Sequence, residues 1–363
     1  MSTPQHPTHT ASHRRLSRLA GAAALALLGL AASAQAQSLV QVYEAARGFD
    51  ATYLSARSQF DASVARADQA KAGLLPQVGL GAGANWTNRN SSVASLDGTT
   101  NSQTVTLSAS QPLYRPANNI TNDQGQLSVE IARTQLQQAE QDLIVRTTQA
   151  YFDVLAAEDT LTFVRALKAA VSEQLAAAKR NFEVGTSTVT DSREAQARFD
   201  LTTAQEIAAE NDLLVKRLAL DQLVGAASVA PKPLAEPLVL PAVVPADPQR
   251  WVNEAQARNL NVLQAQKALE IAQLETRKAQ AGSLPTLDLV GQYQVAREPS
   301  GTSAIPGMVR NNNATVGLQF NLPLFAGYAI QNRVKETLAL EEKSRTDLEA
   351  ARRAVAQATR SAG

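Results

Sequence analysis

The 363-residue chain is 18% charged and 44% hydrophobic and carries a formal charge of +1, with no basic excess to suit nucleic acid as a partner. It has no cysteine, which excludes a disulfide framework, a cysteine metal site and a lipidated cysteine. All three histidines (His6, His9, His13) lie in the first 13 residues; without that leader, transition-metal and histidine acid–base chemistry lose their ligands, and no cofactor or metal is expected.

Arg14, Arg15 and Arg18 precede the apolar run "LAGAAALALLGLAA", which closes in "SAQAQ". This is the order of a secretory signal peptide, with the cut expected between Ala36 and Gln37 and the alternative after Ala34. The run is shorter than the roughly 20 residues a spanning helix needs. Residues 1–36 therefore read as a signal peptide, and the remainder as exported.

A first repeat is expected over 37–225. A helical stretch, 38–73, ends in "AGLLP" and leads into a β-hairpin over 77–113. Val78, Leu80, Ala82, Ala84 and Trp86 alternate with Gln77, Gly79, Gly81, Gly83 and Asn85. Val105, Leu107 and Ala109 likewise oppose Thr104, Thr106, Ser108 and Ser110. Such strands, about ten residues long with almost no charge on the polar face, have the length of a membrane β-strand. From 117 a helical run continues to about Val184 and would extend about 100 Å. Its heptads place Ala157, Val164, Val171 and Ala178 at one position and Leu161, Leu175 and Phe182 at the other, with Lys168 an exception.

The break "NFEVGTSTVTD" (181–191) offers Gly185 for a positive φ, Thr188 or Thr190 as the next N-cap, and Asp191 for a first helical turn. Beyond it, the heptads predict a seam of Leu201, Ala208 and Val215 with Ala197, Ala204 and Leu218. Residues 226–247, "AASVAPKPLAEPLVLPAVVPAD", cannot be helix and read as an extended linker.

A second repeat is expected over 248–363. A helical stretch, 248–282, ends in "AGSLP", a hairpin covers 286–323, and an incomplete helix covers 329–360. Pro76 and Pro285 are 285 − 76 = 209 residues apart, and Pro112 and Pro323 are 323 − 112 = 211 apart, so the chain is a tandem duplication. Ala314, Val316, Leu318, Phe320 and Leu322 alternate with Thr315, Gly317, Gln319 and Asn321; in the preceding strand Val290 falls on the polar side. Tyr114, Phe325 and Tyr328 stand at strand–helix junctions, where an interfacial belt would fall. Two hairpins give four strands, which cannot close a barrel alone, and lipid does not tolerate open edges. A membrane reading therefore requires oligomerisation.

The segment 150–225, with its Asn-Phe-x-Val-Gly turn and following Thr-Asp, together with "AGLLPQVGLGA" and "SQPLYR", resembles the TolC family of outer-membrane channel proteins, in its type I secretion branch. The resemblance implies a mainly α protomer with membrane β-hairpins. Its four strands would join a trimeric twelve-stranded barrel, and its coiled-coil helices a periplasmic α-barrel. It implies an outer-membrane channel component of a tripartite efflux or type I secretion system, a passive conduit and not an enzyme. The partners would be two further copies, outer-membrane lipid, a periplasmic adaptor and an inner-membrane transporter. The tip that meets the adaptor would be Val184, Gly185, Thr186, Ser187, Thr188 and Asp191. Alternation makes Gln77, Asn85, Thr104, Thr106 and Gln319 candidate pore-lining positions.

From Pro112 to Gly225 the chain runs 225 − 112 = 113 residues, whereas 363 − 323 = 40 follow Pro323. A complete repeat would thus add about 70 residues, and the second helical hairpin is expected to be truncated. Two other readings fit less of the sequence: a periplasmic adaptor, whose long hairpins would lack the duplication, and a non-functional fragment of the channel. The acidic pairs Glu158–Asp159 and Glu341–Glu342 read as solvated helix faces.

Overall fold

The computed structural model describes residues 36–90, 98–235, 244, 247–299 and 308–362. The signal peptide, apart from Ala36, and most of the proline-rich linker lie outside the described residues. Among the described residues, seven helices and four strands follow in the order α1 (Leu39–Phe49), α2 (Ala51–Ala72), β1 (Gln77–Arg89), β2 (Gly98–Tyr114), α3 (Pro116–Glu183), α4 (Val189–Val224), α5 (Pro248–Arg258), α6 (Leu260–Ala281), β3 (Thr286–Pro299), β4 (Met308–Asn321) and α7 (Ala329–Ala362). The fold is mainly α with one four-stranded antiparallel sheet, as the sequence predicts. The chain divides into two compact units, 1–50 with 143–239 and 51–142 with 240–363.

In the first unit α1, the later part of α3 and α4 enclose Val42, Ala46, Leu143, Val154 and Leu220, all without solvent exposure. The α3 heptads hold over most of their length, with Ala157, Leu161, Val164 and Leu175 buried and Val171 and Ala178 half-buried, but fail at the tip, where Phe182 is exposed. Lys168, the exception, sends its ammonium to Glu206 at 2.6 Å and lies 5.8 Å from the centroid of the Phe199 ring. The α4 seam predicted from Leu201, Val215 and Leu218 is wrong, for these side chains are exposed (Leu201 at 61%). Leu213 and Leu220, with Phe199 and Glu206 at the same heptad position, face inward instead. Charged members disguised this seam. Glu206 and Lys216 look like surface residues, but they lie opposite Lys168 and Asp153 and bond to them. Glu158 likewise takes Arg217 across the hairpin at 2.8 Å rather than facing water alone.

After α4 the chain is pinned. Gly225 ends the helix at φ +71 against the Phe49 ring. The Asp221 carboxylate then accepts the Ser228 and Val229 amides. Gln37 pairs with Pro231 in a short parallel bridge, and the Tyr151 hydroxyl lies within hydrogen-bond distance of both the Gln37 and Lys232 carbonyls.

The second unit carries the sheet and the packing of α5 and α6 on α7, where Val262, Leu348 and Val355 form a buried cluster. The two similar segments match in backbone detail. "AGLLP" and "AGSLP" each close their helix with three i→i−3 hydrogen bonds, from 73, 74 and 75 and from 282, 283 and 284. Each helical stretch is also broken where the sequence reading made it continuous. Asp50 separates α1 from α2 and Asn259 separates α5 from α6, with extended ψ values of 115 and 131. The offset, 259 − 50 = 209, is that of the prolines. The copies differ at the second strand–helix junction, where Gly327 and Tyr328 both adopt positive φ and Tyr328 packs edge-on against Phe325.

Candidate functional site

The sheet runs β1–β2–β3–β4 with unbroken register from β1 to β4 apart from one irregularity between Pro112 and Tyr114. Directly paired residues share a face. One row is therefore Gly81, Thr106, Gln294 and Asn313, and its neighbour Gly79, Ser108, Gln292 and Thr315. By the same register Gln77, Asn85, Thr104, Thr106 and Gln319, the five positions picked by alternation, all lie on this face. Around Gln77, Ser108, Gln292 and Gln319 it forms a hollow of about 510 Å³. Where β3 from Asp288 to Ala296 pairs with its neighbours, the charged residue on this face is Asp288, which is buried and gripped by Arg115 through two bonds of 2.7 and 2.5 Å. Arg89 and Glu298 fall on the same face by register, at the far ends of their strands.

The other face is apolar and uncovered. Its rows include Leu80, Leu107, Tyr293 and Ala314, then Val78, Ala109, Gly291 and Val316. Leu80 and Val316 are 74% and 81% exposed. In water such a surface is unfavourable, and a contiguous one marks a partner or a membrane. Five apolar rows, from Leu287–Phe320 to Val105–Val295, span about 27 Å along the strands, close to the height of a lipid-facing band once tilted. The strands are longer than the ten residues expected, 13 to 17. Polar stretches such as Thr99–Gln103 and Arg310–Asn313 continue the ladder, because backbone pairing does not need an apolar face. Among the described residues no helix is long and apolar enough to cross a membrane.

The hairpin tip is built by local hydrogen bonds. Thr186 N–H donates to the Asn181 carbonyl at 2.9 Å and Gly185 N–H to that of Phe182 at 3.0 Å, with Gly185 at φ +78, which is the Schellman closure of a helix. Val184 is largely exposed just beyond the last helical residue. Thr188, rather than Thr190, caps α4: its hydroxyl accepts from Asp191 N–H, while the Asp191 carboxylate accepts from Thr188 N–H at 2.8 Å. These bonds from Thr188, backbone first and hydroxyl second, hold the Asp191 carboxyl below the usual carboxylate range. The Ser187 hydroxyl oxygen is buried without a hydrogen-bond partner in the protein. The reciprocal box was missed because the sequence reading weighed Asp191 only against the helix dipole. Its spacing three residues after Thr188 was the available signal. Ala36 and Gln37, the proposed cleavage pair, precede α1, with Gln37 N–H bonded to the Ala230 carbonyl at 2.8 Å.

Comparison with known proteins agrees over most of the chain. Residues 42–226 and 251–363 match the family described as "Outer membrane efflux protein". The chain is 31% identical over 335 residues to "Outer membrane protein TolC" of Vibrio cholerae, covering 92% of this chain and 76% of that protein. It is 30% identical over 334 residues to "Proteases secretion protein PrtF" of Dickeya chrysanthemi, covering 87% and 70%. The crystal structure of the outer membrane protein VceC from Vibrio cholerae superposes with a TM-score of 0.70 at 18% identity, over 86% of this chain and 75% of that one, a likeness of fold.

Proposed function

The chain belongs to the outer membrane efflux protein family, and we propose that it serves as the passive exit duct of an export system, without catalysing a reaction. It resides in the outer membrane, with its helices extending into the periplasm. In this reading three copies each contribute one sheet, and the free edges of β1 and β4 pair between neighbours into a closed barrel of twelve strands. Closure is what lipid demands of a sheet. The one-faced sheet carries the reading: a polar face for the water-filled lumen, on which the Asp288 carboxylate is paired with Arg115, set against an exposed apolar face for lipid. The second stripe on α4, with Leu201, Val215 and Leu218 uncovered, would pack against a neighbouring copy.

The tip from Val184 to Asp191 would dock a periplasmic adaptor, which couples the duct to an inner-membrane transporter. Residues 37–225 and 248–363 act as the two repeats, joined by the linker 226–247, after removal of residues 1–36. The channel reading outweighs the adaptor reading because an adaptor has no use for an uncovered apolar sheet face.

The chain is free of cysteine, so single cysteines report without background. In outer membranes, Thr106→Cys should react with a water-soluble maleimide, while Leu107→Cys reacts only with a lipid-soluble one. Equal labelling of both by the water-soluble reagent would overturn the proposal.

A further inference from the structure

Across β3 and β4, Arg297 and Arg310 are direct partners in the ladder. They stand on the apolar face, two residues beyond the Val295 row and about 7 Å further from the helices. Both are exposed, and among the described residues neither has an ion-pair partner. Like charges placed opposite one another weaken a strand pair. The other members of the row are Gln103 and Ala84, neither of which supplies a negative charge. One row further out on the same face stands Trp86, 73% exposed. An exposed tryptophan beyond an apolar band marks head-group depth. The opposite end of the band joins the helices, and the helices are periplasmic, so the arginine row lies at the outer leaflet.

We propose that Arg297 and Arg310 form a binding site for the phosphate of an anionic outer-leaflet lipid. The inference rests on the membrane reading of the sheet. Two guanidiniums on adjacent strands, about 5 Å apart at their backbones, can donate to one phosphate from both sides. Gln103 adds an amide donor from the neighbouring strand. The bound anion removes the repulsion that the row otherwise carries, so the lipid also ties β3 to β4 at the outer rim.

The test uses the full chain with Trp251→Phe, which leaves Trp86 as the one remaining tryptophan. In dodecyl maltoside micelles, Trp86 emission is followed during titration with lipid A, which bears two phosphates, or with the same lipid dephosphorylated. The phosphorylated lipid should bind, and Arg297→Gln with Arg310→Gln should weaken that binding about thirtyfold. Arg297→Lys with Arg310→Lys should stay within about fivefold, since the charge remains. If the glutamine variant binds as the parent does, or if both lipids bind alike, the proposal is overturned. Saturation by millimolar inorganic phosphate alone would overturn the lipid assignment. Failure of the parent chain to enter phosphatidylcholine vesicles would remove the membrane reading as well, an outcome distinct from loss in the variant only.

Discussion

Arg115, the residue between β2 and α3, holds Asp288, the third residue of β3, through a two-pronged ion pair that spans 173 positions of sequence. The carboxylate is almost fully buried and the guanidinium half-exposed. The pair fixes the start of α3 to the sheet where strand becomes helix. Breaking it by Asp288→Asn should cost about 1–3 kcal/mol, since a charged hydrogen-bond pair loses one member. Urea unfolding in detergent, as a double-mutant cycle with Arg115→Gln, would measure the coupling. Additive losses from the two substitutions would show that the pair contributes nothing.

At Gly225 two obstacles to a side chain coincide. The residue sits at φ +71, and a Cβ there would come within 2.3 Å of the Phe49 ring. Gly225→Ala should therefore destabilise by at least about 2 kcal/mol, more than left-handed backbone alone explains. Adding Phe49→Leu should recover part of the loss but not all. Full recovery would place the whole cost in the clash.

The α4 cap makes tip order depend on acidity. Hydrogen bonds from Thr188 lower the Asp191 pKa, so the cap contributes fully above the ordinary aspartate value near 4 and weakens as pH falls through the lower folded value. Amide exchange at residues 189–192 should then accelerate below about pH 4, relative to intrinsic rates. Thr188→Ala should remove about 1 kcal/mol of helix stability at neutral pH, yet keep part of the pH response, because the residue 188 N–H still donates to Asp191. Asp191→Asn should abolish that response. A pH response that survives in Asp191→Asn would show that the cap is not its source.

Tyr151→Phe removes a hydroxyl that touches the Gln37 carbonyl and accepts from Lys232 N–H at 2.9 Å. About 1 kcal/mol should be lost, and faster exchange should be confined to Lys232 and its neighbours. Unchanged protection there would mean the Lys232 N–H bond to the Gln37 carbonyl, at 3.0 Å, suffices alone.

Much of this was legible in the sequence. Period-two alternation placed Gln77, Asn85, Thr104, Thr106 and Gln319 on one face, because pairing preserves the face once register is unbroken. Gly185 announced the helix end by the one backbone conformation that suits it. The α4 seam misled because the heptad rule counts apolar residues, whereas Glu206 and Lys216 enter the seam by pairing with Lys168 and Asp153. The break at Asn259 has no proline or glycine beside it, and the one before Ala51 has only Gly48, two residues ahead of Asp50. Each is a single residue turned out of helical geometry, which composition does not register.

Those two breaks share the 209-residue offset of the repeated prolines, so the interruption recurs at the same place in both halves. The two halves secure it differently. Asp50 gives its carboxylate to Arg146 through bonds of 2.9 and 3.0 Å, whereas the Asn259 side chain accepts the Asn261 amide at 2.9 Å. What the halves share is the course of the backbone, which can be held by different side chains in each.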